Sequence, residues 1–566
     1  MTSLFVASDF RSDQLLELSY KIFDHIIVHG TDSFTSKWKL ASTILQEIIF
    51  EDELALEPQR VALRNKHLKD EFSKYLSDAF VKIISESEAK YPDQIDSARI
   101  YFASPLTQTR SFPPPSRSAR EEKVSEFIAG LTSDFRPGED LTMEIAGALQ
   151  LGRNLAKEVE YTTRRRRHEL PKPENISTHT SLCSGSSYEY TRESGGKWNT
   201  LTDRSEGSFR SFLESPCESV FELDYCEGEV PEYRDAFSNI VCSKQNSSLP
   251  VWKIAYLESP IEAENLGDPI NPWFDPENPN FTAGIDARLG KLLLAWSAKM
   301  KSRLTGIPTV KVAVVTEPGC KIRPVTSGPT WLYSYLSPAG HIFKDYISQL
   351  PGAHVGLKEA DHLYRFGESF HNHYASSDLG DLYISTSDLT SATDRAVHKI
   401  CAALMKGIAE GMRTHGVITQ GTHDYLVDCI TLLCSPRRVS CKFSKREYRR
   451  LPKEVRNKLT PEGKRTYTFE TVRGVLMGEP LTKSVLTAAS MVAYQAAKLG
   501  LDSCKLGETL IIGDKRSPER IEEEKILHYS CAGDDHTGIS KSIETLKKIP
   551  KVLESMGFEI SWEKYR

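Results

Sequence analysis

Tyr383-Ile384-Ser385-Thr386-Ser387-Asp388-Leu389-Thr390-Ser391-Ala392-Thr393-Asp394 is the stretch on which the fold turns. Tyr383 to Ser387 reads as a short strand that delivers Asp388 at its end. Beyond the turn, Val397, Ile400, Cys401, Leu404 and Ile408 repeat at helical spacing. The element is therefore strand, loop, buried helix. A carboxylate at a strand end, beside a loop that can turn a second carboxylate toward the same cleft, suits a hard cation. The competing reading is that Asp388 or Thr390 merely caps the following helix. Further on, His528-Tyr529-Ser530-Cys531-Ala532-Gly533-Asp534-Asp535-His536-Thr537-Gly538-Ile539 predicts a hairpin whose tip presents adjacent aspartates. Side by side, two like charges call for either an exposed tip or a cation. Gly-Asp-Asp alone is weak support, because a chain this long carries it by chance roughly one time in ten.

Between these clusters lies Arg473-Gly474-Val475-Leu476-Met477-Gly478-Glu479-Pro480-Leu481-Thr482, leading into an apolar helix through Val485, Leu486, Ala489, Val492 and Ala493. Gly474 and Gly478 allow backbone to approach a ligand, and Thr482 and Ser484 supply hydroxyls at the helix entrance. An ordinary turn before a helix explains the same residues. Upstream, Thr316-Glu317-Pro318-Gly319-Cys320-Lys321-Ile322-Arg323-Pro324-Val325 sets Lys321 and Arg323 on one side of an extended segment, suiting a triphosphate clamp or a solvated edge.

Composition bounds the rest. The 566 residues, 39% hydrophobic and 26% charged, suffice for two or three globular units. A net charge of -5 leaves any nucleic-acid surface to local patches. None of the 11 cysteines stands at C-x-x-C spacing, so neither a zinc ribbon nor a redox motif is supported. With no leader at Met1 and no apolar run near 18 residues, the sequence predicts neither a signal peptide nor a membrane span. A cytosolic location is the expected one by default, with the mitochondrion open as an alternative. The expected organisation is a helical N-terminal region over 1–104 and a low-complexity, partly mobile linker over 105–248 with an embedded helix from Leu141 to Val159. A basic-strand region follows over 249–380, then the carboxylate-bearing region over 381–566, with strands and helices intermixed as in an α+β fold. No internal repeat and no G-K-[ST] phosphate loop is present.

The order basic strand, strand-end Asp, glycine loop plus helix, Asp-Asp hairpin resembles the RNA-directed RNA polymerases of positive-strand RNA viruses. Their motif F is matched by Lys321 and Arg323, motif A by Asp388 and Asp394, motif B by Gly474 to Thr482, and motif C by Gly533, Asp534 and Asp535. Asp-Leu-Thr-Ser-Ala-Thr-Asp and Met-Gly-Glu-Pro-Leu-Thr are most similar to the narnavirus, ourmiavirus and levivirus lineage. Cys320 departs from the glycine many relatives carry there. The resemblance covers about residues 312–566 and implies an α+β right-hand polymerase: a ferredoxin-like palm over 381–566, fingers over 249–380, and a helical N-terminal extension.

It further implies magnesium, or manganese, held by Asp388, Asp534 and Asp535. NTPs would be bound by Lys321, Arg323, Asp394, Gly474, Gly478 and Thr482, and Lys564 would protonate pyrophosphate. RNA template and product are the implied partners. Arg438, Lys442, Lys445, Arg446, Arg449, Arg450 and Lys453, between motifs A and B, are expected to track the template or to form a solvated basic face. Gly557 to Lys564 is similar to motif D, and with Arg566 two residues on, no thumb is expected within this chain. A truncated product or a second polymerase chain would account for that. A reverse transcriptase would carry a bulky aromatic near Asp394 and a Tyr-x-Asp-Asp turn, and this sequence has neither. The rivals are an RNA-binding replication subunit that works only with a partner chain, and a metal-dependent phosphohydrolase.

Overall fold

The computed structural model describes residues 12–49, 58–95, 106, 112–166, 186–217, 247–250, 292–358, 362–374, 380–498 and 526–561. It opens with α1 (Ser12–Ile49), two helical stretches joined at Gly30, whose φ of 83° is non-helical. α2 (Glu71–Lys90) packs along it. Leu18, Ile22, Phe34, Trp38 and Leu45 of α1 meet Leu76, Phe80 and Ile83 of α2 in a hydrophobic cluster of their own. Leu18 and Ile22, four residues apart on one helix face, point inward, whereas Phe23, one position on, is turned out and 62% exposed.

α3 (Arg117–Thr132) starts at an N-cap, Ser116, whose hydroxyl accepts from the Ala119 N–H. α4 (Thr142–Arg166) is the helix expected over Leu141 to Val159, continued to Arg166. There follow the hairpin β1 (Thr309–Glu317) and β2 (Lys321–Ser327), then α5 (Thr330–Ile347), β3 (Tyr383–Ser387), α6 (His398–Thr414), α7 (Gln420–Leu433), β4 (Arg438–Lys442), β5 (Thr460–Pro461), β6 (Thr466–Glu470), α8 (Thr482–Lys498), β7 (Ile526–Ala532), β8 (Asp535–Ser540) and α9 (Ile543–Ser555). One sheet has the order β3-β8-β7, antiparallel throughout; a larger one runs β2-β1-β4-β6-β5 with β1 and β4 parallel, and Pro216–Cys217 pairs with Ser247–Pro250 in a small two-stranded sheet. The chain is α+β, as the interleaved periodicities predict.

The largest core gathers α4, α5, α6, α8 and α9. Val397, Ile400, Cys401, Leu404 and Ile408 are all buried in it, so the helical period read from the sequence is the period of the packed face. α4 and α6 lie unusually close because their contact is made of small residues. A Cβ at Gly152 or Gly407 would run into the carbonyl of Leu404 or Leu149 on the facing helix, and one at Gly411 would meet Ala156. A further core joins Val124, Phe127, Ile128 and Leu131 of α3 to Val310, Val439 and Phe469 of the larger sheet. Among the described residues no helix is long and apolar enough to cross a membrane.

Candidate active site

β3 and β8 pair antiparallel with Ser387 opposite His536, so one step past that rung the register brings Asp388 level with Asp535. Facing Cα atoms in such a ladder lie about 4.5–5.5 Å apart. Asp535 in turn pairs with Ala532, leaving Gly533 and Asp534 as a two-residue turn. Gly533 has φ 79°, as the first position of a II′ hairpin turn requires, and open space where a Cβ would stand. Glycine is needed there for backbone conformation rather than for room. The sheet thus gathers Asp388, Asp534 and Asp535 at one end.

On its other side the Asp388 segment pairs with the chain after α9. Leu389 bridges Ile560, the Ser561 N–H donates to the Asp388 carbonyl at 2.9 Å, and the Thr390 N–H donates to Glu559 at 2.7 Å. Neither Asp388 nor Thr390 is a helix cap: the short helix Ala392–Arg395 follows Ser391, α6 follows Val397, and neither start has a side-chain cap. The capping alternative therefore falls away.

The glycine loop is the hub of the site. Its Gly474 N–H donates to Ala396 at 2.7 Å and its Val475 N–H to Thr393 at 2.8 Å, tying it to the turn after Asp388. At its far end the Thr326 N–H of β2 donates to Met477 at 3.0 Å, which ties in the basic hairpin. Gly474 (φ 104°) and Gly478 (φ 113°) occupy the left-handed half of backbone space, and a Cβ would lie 3.2 Å from the Thr393 carbonyl in the first and 2.6 Å from that of Thr326 in the second. At Gly478 the crowding is by backbone, whereas at Gly474 the atom nearest to where a Cβ would stand is Leu131 Cδ2. Glu479 forms a two-pronged ion pair with Arg437, Nε to Oε1 and Nη2 to Oε2, each 3.0 Å. Each of the two side chains is only 1% exposed. Arg437, the head of the basic insertion, is thus turned inward, while Lys442, Lys445, Arg446, Arg449 and Lys453 are exposed; Arg438 pairs with Glu470 and Arg450 with Glu121.

α8 carries three polar residues that sequence reasoning passed over. The Thr487 hydroxyl accepts from the Gly533 N–H at 3.1 Å, the Ser490 hydroxyl donates to the Gly533 carbonyl at 2.9 Å, and the Tyr494 hydroxyl lies 3.1 Å from His536 Nδ1. All three are fully buried. Their signal was available: Thr487, Ser490 and Tyr494 stand at i, i+3, i+7 on an otherwise apolar helix. His536 is sealed in and burial pushes its imidazole down to about 4, with the nearby Asp388 carboxylate pulling the other way.

Of the other expected residues, Thr482 donates its hydroxyl to the Leu476 carbonyl at 3.0 Å. Asp394 is buried, accepts from the Thr393 hydroxyl at 3.1 Å, and has its carboxyl pushed up to about 6 by burial, against the pull of that hydrogen bond, Lys123 and Arg395. Lys321 is exposed, and Arg323 Nε sits 3.1 Å from Glu317 across the hairpin. Lys564 lies outside the described residues.

Among the described residues no group of three or more His, Cys, Asp or Glu side chains stands ready to hold a metal. Magnesium needs no such group, because it keeps several waters and binds through one or two carboxylates plus substrate phosphates. The all-oxygen donor set at the sheet end fits such an ion, and manganese accepts the same ligands.

No family model matches the chain, and no curated protein matches it. Among solved structures it is similar to the in situ structure of the BmCPV RNA-dependent RNA polymerase at its elongation state, with 11% identity, a TM-score of 0.33, and half of this chain covering 22% of that one.

Proposed function

We propose that the chain is an RNA-directed RNA polymerase, transferring nucleotidyl groups from NTPs to a growing RNA under direction of an RNA template. In this reading the β3-β8-β7 sheet and its helices form a palm of the split βαβ kind, and the basic hairpin with the insertion after α7 forms fingers. The observation that carries it is the convergence on one loop. Residues 473–482 bond to the turn after Asp388 and to the end of the basic hairpin, and lead into the helix that grips the Gly533 turn. A phosphohydrolase would need the carboxylates but neither the basic arm nor this loop.

Asp388 and Asp534, assisted by Asp535, would hold magnesium or manganese. Bound there, such ions would activate the attacking 3′-hydroxyl and neutralise charge on the departing pyrophosphate. Lys321 and Arg323 would meet the triphosphate, where negative charge builds as the bond breaks, Arg323 exchanging Glu317 for phosphate oxygens. Asp394 and Thr482 would read the ribose 2′-hydroxyl, which is both donor and acceptor. Lys564 would protonate pyrophosphate. The exposed lysines and arginines of the insertion would follow the template backbone.

The test is incorporation of labelled NTP on an RNA template, with and without magnesium, by the chain and by its Asp534→Asn variant. Magnesium-dependent synthesis that disappears in the variant while RNA binding survives is the expected result. Elongation retained by Asp534→Asn would remove the metal assignment, and RNA binding without synthesis would make the chain a binding subunit.

A further inference from the structure

The tip of the basic hairpin does not end in solvent. Pro318, Gly319 and Cys320 join β1 to β2, with Glu317 paired to Lys321, and the turn lies against α1 and the segment before α3. The Gly319 N–H donates to the Phe112 carbonyl at 2.9 Å, and the Cys320 N–H to Pro113 at 3.3 Å. The Lys39 ammonium donates to the Gly319 carbonyl at 2.7 Å. The Cys320 thiol stands 3.4 Å from both Asp32 Oδ1 and Thr35 Oγ1 and donates to one of them. Asp32 in turn accepts from the Ser116 N–H at 3.0 Å, so one carboxylate joins the hairpin tip to the cap of α3. Burial pushes the Asp32 carboxyl up, but the hydrogen bonds from Ser116 and Cys320 outweigh it and hold the group below the usual carboxylate range.

The backbone supports the same conclusion independently. Gly319 (φ 79°) and Cys320 (φ 54°) both lie in the left-handed region. Cysteine pays for a conformation there that glycine adopts freely, and a strained residue persists only where its surroundings over-determine it. Here the surroundings are the N-terminal unit: Asp32, Thr35, Lys39 and Pro113. The middle of β1, from Ala313 to Thr316, is exposed, so the arm is held at its ends rather than along its length.

We infer that α1 and residues 112–116 form a brace that fixes the tip of the β1-β2 arm, making Asp32 and Lys39 positioning residues for Lys321 and Arg323, which lie one and three residues past the held turn. The part that concerns NTP use rests on the polymerase reading; the brace itself does not.

The experiment uses the full chain, the double variant Asp32→Ala/Lys39→Met, and the single variants Lys39→Arg and Lys39→Met. Amide hydrogen exchange read by mass spectrometry tests the brace without reference to activity. In the double variant, peptides spanning 315–323 should exchange roughly tenfold faster, as loss of these hydrogen bonds allows local opening. Peptides from β3, β7 and β8 should stay as they were. Lys39→Arg, which can still donate to the Gly319 carbonyl, should behave as the parent. The apparent KM for NTP should rise roughly three- to tenfold in the double variant with kcat nearly unchanged, the signature of lost substrate positioning.

Unchanged exchange at 315–323 overturns the brace. Faster exchange there with unchanged KM separates the arm from NTP binding and overturns the positioning role. If the double variant loosens everywhere, Lys39→Met decides: it removes the donation to the Gly319 carbonyl and leaves the turn's own residues unchanged, so faster exchange confined to the same peptides supports the brace and unchanged exchange sinks it. A parent chain that makes no RNA would defeat the polymerase reading while the exchange result still settles the brace.

Discussion

Removing either member of the Arg437–Glu479 pair should cost far more than removing both. Both side chains are 1% exposed, and every nitrogen of the guanidinium has an acceptor: Nε and Nη2 reach Glu479 at 3.0 Å, and Nη1 reaches the Ser435 hydroxyl at 2.9 Å. At that separation an effective dielectric near 20 gives an attraction of about 5 kcal/mol. Desolvating the two ions costs several kcal/mol each, so the pair contributes little net stability. Glu479→Ala leaves a buried cation without its partner, and the expected loss is about 3–5 kcal/mol. Arg437→Met/Glu479→Leu, which fills the space with apolar atoms, should lie within about 2 kcal/mol of the parent and can be the more stable. Urea titration suits the measurement, because it leaves charges unscreened; with Arg437→Met and Glu479→Leu each losing about 3–5 kcal/mol alone, the double-mutant cycle should return a coupling energy of about 4–10 kcal/mol. A single variant that loses less than about 1 kcal/mol, or a cycle that sums to zero, refutes the reasoning. Because Glu479 sits inside the hub loop, the singles should also speed amide exchange at Gly474 and Val475, whose N–H groups hold the turn after Asp388.

Thr487→Val leaves the buried Gly533 N–H without an acceptor and should cost about 1–3 kcal/mol. If it also loosens the aspartate turn, the magnesium concentration for half-maximal RNA synthesis rises, and an unchanged requirement would reduce Thr487 to a packing role. Burial raises the Asp394 carboxyl to about 6 in the folded protein, above the ordinary aspartate range, so its favourable contribution is full below that ordinary range and is lost as pH rises through about 6. Asp394→Asn should therefore be the more stable protein at pH 8, by up to about 2–3 kcal/mol, with no advantage near pH 4. Equal thermal midpoints at pH 8 would mean that the carboxylate is better solvated than its burial implies. Gly407→Ala should overpack the α4–α6 contact and cost about 1–3 kcal/mol, seen as a lower urea midpoint.

What the sequence could disclose was what repeats locally. The strand before Asp388, the helix from Val397 and the Gly-Asp-Asp hairpin each carry a period or a turn signal within a dozen residues, and each stands where that signal put it. Glycines were legible as special but not by cause: Gly474 and Gly478 are close to Thr393 and Thr326, residues far away in the chain. Arg437 reads like its basic neighbours, and only the fold, by bringing Glu479 to it, turns it inward. The grip of Thr487 and Ser490 on Gly533 spans a long stretch of sequence, and that of Lys39 on Gly319 a longer one. Contacts of this kind leave no period, because neither partner's neighbours share the constraint.

These long-range contacts also determine how the basic arm can behave. Its tip is fixed by the N-terminal unit at Gly319 and Cys320, and its root by the hub loop through Thr326 and Met477, while the strand between is exposed. An arm held only at the root would swing, and Lys321 and Arg323 would sample many distances from the carboxylates. Held at both ends, it can bow but not swing, so Arg323 can trade Glu317 for another anion without the hairpin leaving its register. The root anchor lies in the same loop that bonds to the turn after Asp388. The arm's root is therefore joined to Thr393 and Ala396 by the backbone and its hydrogen bonds, a continuous connection that requires no side chain.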